Sequence, residues 1–167
     1  MTILYSDKHL AVCIKPVGLD SELEVPAALK EALGGEIFPI HRLDKNVGGV
    51  MVYSRTKYAA GALSKAVQEG TMVKEYVAMV HGTPPESGDW TDLLFKDSSK
   101  NKVFVVKKER RGVKKARLEF TRLRGGEESL VRIRLHTGRS HQIRVQFSSR
   151  GFPLVGESHR NDAESGQ

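Results

Sequence analysis

The stretch Leu130-Val131-Arg132-Ile133-Arg134-Leu135 decides how this chain folds. Val131, Ile133 and Leu135 alternate with Arg132 and Arg134, a period of two that belongs to a strand with one buried face and one wet face. That face presents guanidinium groups to solvent or phosphate. Upstream, Val103 to Val106 and Ala116 to Leu123 are β-prone and predict antiparallel ribbons beside it. Val73 to Val80 predicts another strand, in which Val73, Val77 and Met79 share one register and Tyr76 lies opposite the core. Thr83-Pro84-Pro85-Glu86-Ser87-Gly88 is a turn cluster. Downstream, Thr137-Gly138-Arg139 turns the chain, and Ser140 is placed to cap a helix with Ile143 and Phe147 inward, ending near Gly151.

The first third reads the same way. Ile3-Leu4-Tyr5 and Leu10 to Ile14 are two short strands about the turn Ser6-Asp7-Lys8, and Pro16-Val17-Gly18 stops the second. Val25, Ala28, Leu29 and Leu33 have helical spacing before Gly34-Gly35, and Lys57 to Gln68 carries Ala60, Leu63, Ala66 and Val67 on one face before Gly70. Between these helices, Ile40-His41-Arg42-Leu43-Asp44 is a loop rich in ionisable groups. It leads through Gly48-Gly49 into the β-run Val50 to Tyr53. Cys13, in an apolar strand, reads as a small buried hydrophobe, and Trp90 as a packing residue.

The chain has 167 residues, one cysteine, and 27 Lys+Arg against 20 Asp+Glu for a net charge of +7. That length suits a single domain, which hides roughly 70% of the surface of its unfolded chain without a staple. With one cysteine and no signal peptide pattern, a cytoplasmic setting is expected. The apolar runs fall far short of the ~20 residues of a membrane span. Residues 96–150 hold 17 basic and 5 acidic residues, a net of +12, leaving −5 for the rest. So large an asymmetry points to a polyanion, because each Lys or Arg set against a phosphate releases condensed counterions.

The usual catalytic sets are missing. The six histidines are scattered, so no metal site is expected. Neither a phosphate-cradling loop nor a G-x-S-x-G elbow occurs. What remains is Asp44, two residues after Arg42, between a proline and two glycines. It reads either as a surface acid in a turn beside Lys45, or as a nucleophile or base held in a cleft by a cation, with Arg139 and Arg144 as candidates.

The string His41-Arg42-Leu43-Asp44, followed by Gly48-Gly49 and a β-run, resembles the catalytic motif of the RluA-type RNA pseudouridine synthases. Three further pieces agree in order. The N-terminal strands ending in Lys15-Pro16-Val17-Gly18 resemble that family's opening motif. Lys74-Glu75-Tyr76-Val77-Ala78 with Val80 and Gly82 resembles its K-x-Y-x-A-x-V-x-G strand. Thr137-Gly138-Arg139-Ser140-His141-Gln142-Ile143-Arg144 is similar to its TGRxHQIR segment, and Gly151-Phe152-Pro153-Leu154-Val155-Gly156 to the continuation.

The resemblance implies an α+β fold with a mixed, largely antiparallel sheet, short flanking helices and an active-site cleft across the sheet, over residues 1–156, followed by a polar tail over 157–167. It implies that Asp44 attacks C1′ of a ribose or takes a C2′ proton, that Tyr76 stacks on the base, and that Arg144 pairs with the aspartate. Arg42 would help hold the RNA or fill the space of an extruded uridine. Arg132, Arg134, Arg139, His141 and Gln142 complete the expected RNA-contacting set. The partner would be ribosomal or transfer RNA, acted on by a monomer without metal or cofactor. Val47-Gly48-Gly49 departs from the usual Thr-Ser-Gly, Gln146 stands where a histidine is common, and a terminal strand after Gly156 is expected to be missing. The alternative is an RNA-binding protein of the same fold without turnover.

Overall fold

The computed structural model describes residues 1–156; the polar tail over 157–167, and with it the terminal strand expected to be missing after Gly156, lies outside them. The α+β architecture and the antiparallel pairing are as expected: three helices and two sheets, in which every described strand pair is antiparallel. The chain divides into two compact units, the first over Met1–Met72 and the second from Val73 onward.

In the first unit, strands β1 (Thr2–Ser6), β2 (Leu10–Lys15), β3 (Phe38–Pro39) and β4 (Gly49–Ser54) lie in the order β1-β2-β4-β3. The β1–β2 turn is held by Asp7, whose Oδ1 accepts from the backbone N–H of His9 and Leu10, both at 2.8 Å. Those bonds, with the Tyr5 hydroxyl as the strongest influence, hold the Asp7 carboxyl below its ordinary range. Alternation in β2 sends Ala11, Cys13 and Lys15 inward together, opposite Met51 and Tyr53 of β4, while Ile14 and Val50 face out. Helix α1 (Glu24–Leu33) buries Val25 and Leu29, and α2 (Lys57–Gln68) buries Ala59. Thr56 caps α2 by accepting from the Ala59 N–H, and Gly34, at φ 72°, ends α1.

In the second unit, β5 (Lys74–His81), β6 (Ser87–Asp97), β7 (Lys102–Val106), β8 (Val113–Arg124) and β9 (Glu128–Leu135) form a sheet of order β5-β9-β8-β6-β7. Helix α3 (Gln142–Ser148) covers one face. Val80, Leu118, Phe120, Val131, Ile133 and Phe147 make the core, and Trp90 meets Phe120 and Phe147 at centroid separations of 4.4 and 4.7 Å. Trp90 and Cys13 are therefore packing residues, as expected. β6 is the long strand that the sequence hid, because it starts inside the Pro-Pro-Glu-Ser-Gly turn cluster and carries few β-branched residues.

Two local expectations are corrected. Tyr76 is on the core side of β5 with Ala78 and Val80, whereas Val77 is 63% exposed. The valines misled because apolar residues stand on both faces of this strand, and the pairing of Tyr76 with buried Ile133 decides the register. Nor does Ser140 cap α3. The cap position is His141, held at φ 52° without a side-chain bond to the helix's free N–H groups, and the turn before it is fixed by Gln142 instead.

Candidate active site

The loop carrying Asp44 is built on a buried cation. Lys15 ends a strand whose inward face is otherwise apolar, and its ammonium, fully enclosed, donates to the carbonyls of Pro16 (2.9 Å), Lys45 (3.2 Å) and Val47 (2.6 Å). Two of these oxygens belong to residues just after Asp44 and the third to the end of β2, so one side chain ties the loop to the strand. Burial pushes the Lys15 ammonium below its ordinary value, and the charges of Asp20, Asp44 and Glu24 oppose that shift. Further ties come from Gly18, whose N–H donates to Lys45 O at 2.7 Å, and from Ser21 Oγ, which accepts from Leu43 N. His41 Nε2 accepts from Val52 N at 3.2 Å. A Cβ on Gly48 would come within 3.3 Å of the Lys15 carbonyl, so the loop passes close to β2 there.

Leu43 is buried beneath this loop and throws its neighbours outward. Asp44 is 48% exposed, and Arg42, 72% exposed, reaches between Asp44 Oδ1 at 3.8 Å and Glu22 Oε1 at 3.4 Å. The cation seen beside Asp44 within this unit is thus Arg42, supplied from two residues away.

In the second unit the site residues cluster on the α3 side of the sheet. Arg144 Nη2 donates to His141 Nδ1 at 2.7 Å, which places the ring proton on Nε2. Arg139 Nε donates to the Lys115 carbonyl at 2.9 Å. Gln142 is buried and its amide is used up: Oε1 accepts from Thr137 Oγ1 (2.8 Å) and Arg139 N (3.0 Å), while Nε2 donates to Arg117 O (3.1 Å) and Gln146 Oε1 (3.0 Å). The expected RNA contact at Gln142 is therefore replaced by a structural role, shaping the Thr-Gly-Arg turn. Gln146 continues the chain of bonds to Asp92 Oδ2 at 2.9 Å, and Asp92 in turn takes both Arg150 Nη1 (2.6 Å) and Nη2 (3.2 Å).

Arg132 and Arg134 point away from this cluster. They alternate with buried Val131 and Ile133, so they lie on the sheet face opposite Tyr76 and α3. Arg134 is paired in register with Glu75 on one side and Glu119 on the other. Glu22 was not singled out in the sequence, and Lys15 and Gln146 stood there only as motif positions, without these structural roles. Lys15 was legible as the third inward position after Ala11 and Cys13, and Gln146 as the residue one helical turn beyond Gln142.

Residues 9–149 match a family model described as RNA pseudouridylate synthase. The chain belongs to that family. Among curated pseudouridine synthases, an uncharacterized one from Aquifex aeolicus is 34% identical over 94% of this chain and 55% of its own length. One from Chloroflexus aurantiacus is 36% identical over 75% of this chain and 40% of its own. The dual-specificity RNA pseudouridine synthase RluA of Escherichia coli is 32% identical over 94% of this chain and 75% of its own length. This chain thus spans about half the length of the first two pseudouridine synthases. Among solved structures, human RNA pseudouridylate synthase domain containing 4 superposes with a TM-score of 0.79 at 27% identity, covering 93% of this chain and 67% of that one.

Proposed function

We propose that this chain converts uridine to pseudouridine within ribosomal or transfer RNA in the cytoplasm, with Asp44 as the reacting carboxylate. The observation that carries the reading is the Asp44 loop: an exposed carboxylate, in a family motif, on a backbone clamped by a buried ammonium. Such a loop offers a fixed acid to an incoming ribose without first having to order itself.

The reaction breaks the C1′–N1 bond and forms C1′–C5; the C5 proton leaves and N1 gains one, so atoms balance without redox chemistry. Asp44 would either bond to C1′ or remove the C2′ proton. Tyr76 provides an aromatic face for the base, and Arg144 the cation that the family pattern pairs with the aspartate. A paired uridine must first leave its stack at a cost of a few kcal/mol. Arg42, exposed and paired among the described residues with two surface carboxylates, is suited to move toward the space the base vacates.

Incubation with RNA carrying 5-tritiated uridine tests this reading. Tritium release by the protein, lost in Asp44→Ala with an unchanged melting temperature, is the expected result. Absence of release from total cellular RNA would overturn it, and salt-sensitive RNA binding in that case would identify a binding protein without turnover.

A further inference from the structure

The excess positive charge of residues 96–150 is not spread evenly over the fold. On the sheet face away from α3, acids answer the bases. Arg117 makes a two-point pair with Asp89 at 3.0 and 2.8 Å and reaches Glu119 at 3.6 Å, His136 Nε2 lies 2.9 Å from Glu119 Oε2, and Arg134 stands between Glu75 and Glu119 in register. Side-chain bonding to Arg117 is the main reason the Asp89 carboxyl lies below its ordinary range.

The α3 side differs. Val145 of α3 packs on Leu94, Ala116 and Val103, which brings the helix to the β6–β7 edge of the sheet. Beyond that contact, alternation places Lys114, two residues before Ala116, and Lys96, two residues after Leu94, on the same side. Leu94 pairs with Lys114, so Lys96 and Lys114 are diagonal neighbours on adjacent strands. Both are exposed, and among the described residues neither makes an ion pair. Lys107 and Lys108 lie past the Leu93–Val106 pair, at the opposite end of the β6–β7 ribbon. The strip begins at the Thr-Gly-Arg turn, because Arg139 is tied to the backbone of Lys115.

Resting on the reading of an RNA-modifying enzyme, we infer that Lys96 and Lys114 form a track for the phosphate backbone of a double-stranded flank of the substrate RNA. Arg132 and Arg134 lie outside it. The chemistry favours a duplex because the track sets charge against phosphates and offers no aromatic platform on which the splayed bases of a single strand could stack. Phe95 is covered by the Arg110 guanidinium at 4.4 Å, and Phe104 pairs with Phe95 on the other side of the sheet.

The test is binding of a labelled RNA hairpin with one uridine in its loop, compared with the single-stranded loop sequence alone, across a salt series. For Lys96→Ala/Lys114→Ala the slope of log affinity against log salt should become shallower by about 2 for the hairpin and stay unchanged for the loop strand. Arg132→Ala/Arg134→Ala should leave the hairpin slope within about 0.5 of the parent value, since those side chains take no phosphate in this arrangement. An unchanged slope in the lysine variant, an equal loss in the arginine variant, or an equal loss on both RNAs overturns the track. The readout is independent of turnover, so a protein that shows the predicted slopes but releases no tritium would sink the enzymatic reading and leave the track standing.

Discussion

The two units solve the same problem by different means. In the first, a loop with a reactive acid is fixed by one buried charge, Lys15, that gathers three carbonyls. In the second, the turn leading to Arg144 is fixed by neutral amides, with Gln142 and Gln146 passing bonds from Thr137 to Asp92. A buried ammonium carries a desolvation cost and concentrates the structure on one side chain; an amide chain shares the same work among several bonds of modest individual worth. The first arrangement should therefore fail abruptly and the second by degrees.

Lys15→Met is the sharpest test of that difference. It leaves the carbonyls of Pro16 and Val47 without the donor they have now and should cost about 2–3 kcal/mol by urea denaturation. Misplacement of Asp44 should lower kcat by about 100-fold, with a smaller change in KM. Equal damage from the amide network would erase the contrast. Gln146→Leu should cost about 1–3 kcal/mol, because Gln142 Nε2 and Asp92 each lose a partner, but should lower kcat by no more than about tenfold. Gln146→His, which keeps a donor for Asp92, should recover most of both.

A third variant uses pH. Tyr53 is buried and donates its hydroxyl to the Ser21 carbonyl, and burial holds that hydroxyl protonated far above its ordinary value. The folded state therefore keeps its proton through the unfolded-state value near ~10 while the unfolded chain loses it, so the stability it supplies is complete below that pH and falls above it. Tyr53→Phe should be less stable by about 1 kcal/mol at neutral pH, with the gap closing in alkali. Lys15 runs the other way: its depressed value makes stability rise with pH between that value and the ordinary lysine range, a slope that Lys15→Met should abolish. The smallest effect belongs to Glu22→Gln. It releases Arg42 from an exposed 3.4 Å pair and should change stability by less than about 0.5 kcal/mol. A large loss there would mean that Arg42 is a structural clamp.

Much of this is legible in the sequence. The alternation in Leu130 to Leu135 gave β9 and its faces, the spacing in Lys57 to Gln68 gave α2 to the residue, and the motif string placed Asp44 in a loop. Tyr76 was read onto the wrong face because its strand is apolar on both sides, and only pairing with β9 breaks the tie. Gln142 was read as a contact residue because a polar side chain in a basic turn gives no sign, in sequence, of being buried.

Period and motif thus determined, from the sequence alone, the helices, the strands other than β3 and β6, and which family the chain resembles, since these are local properties of residue type and spacing. Tertiary structure alone decided which arginines face which acids, which amide is buried, and that Lys15 holds the Asp44 loop. Each of these depends on partners at least fifteen residues away, and a pairing over that distance exists only once the strands are in register.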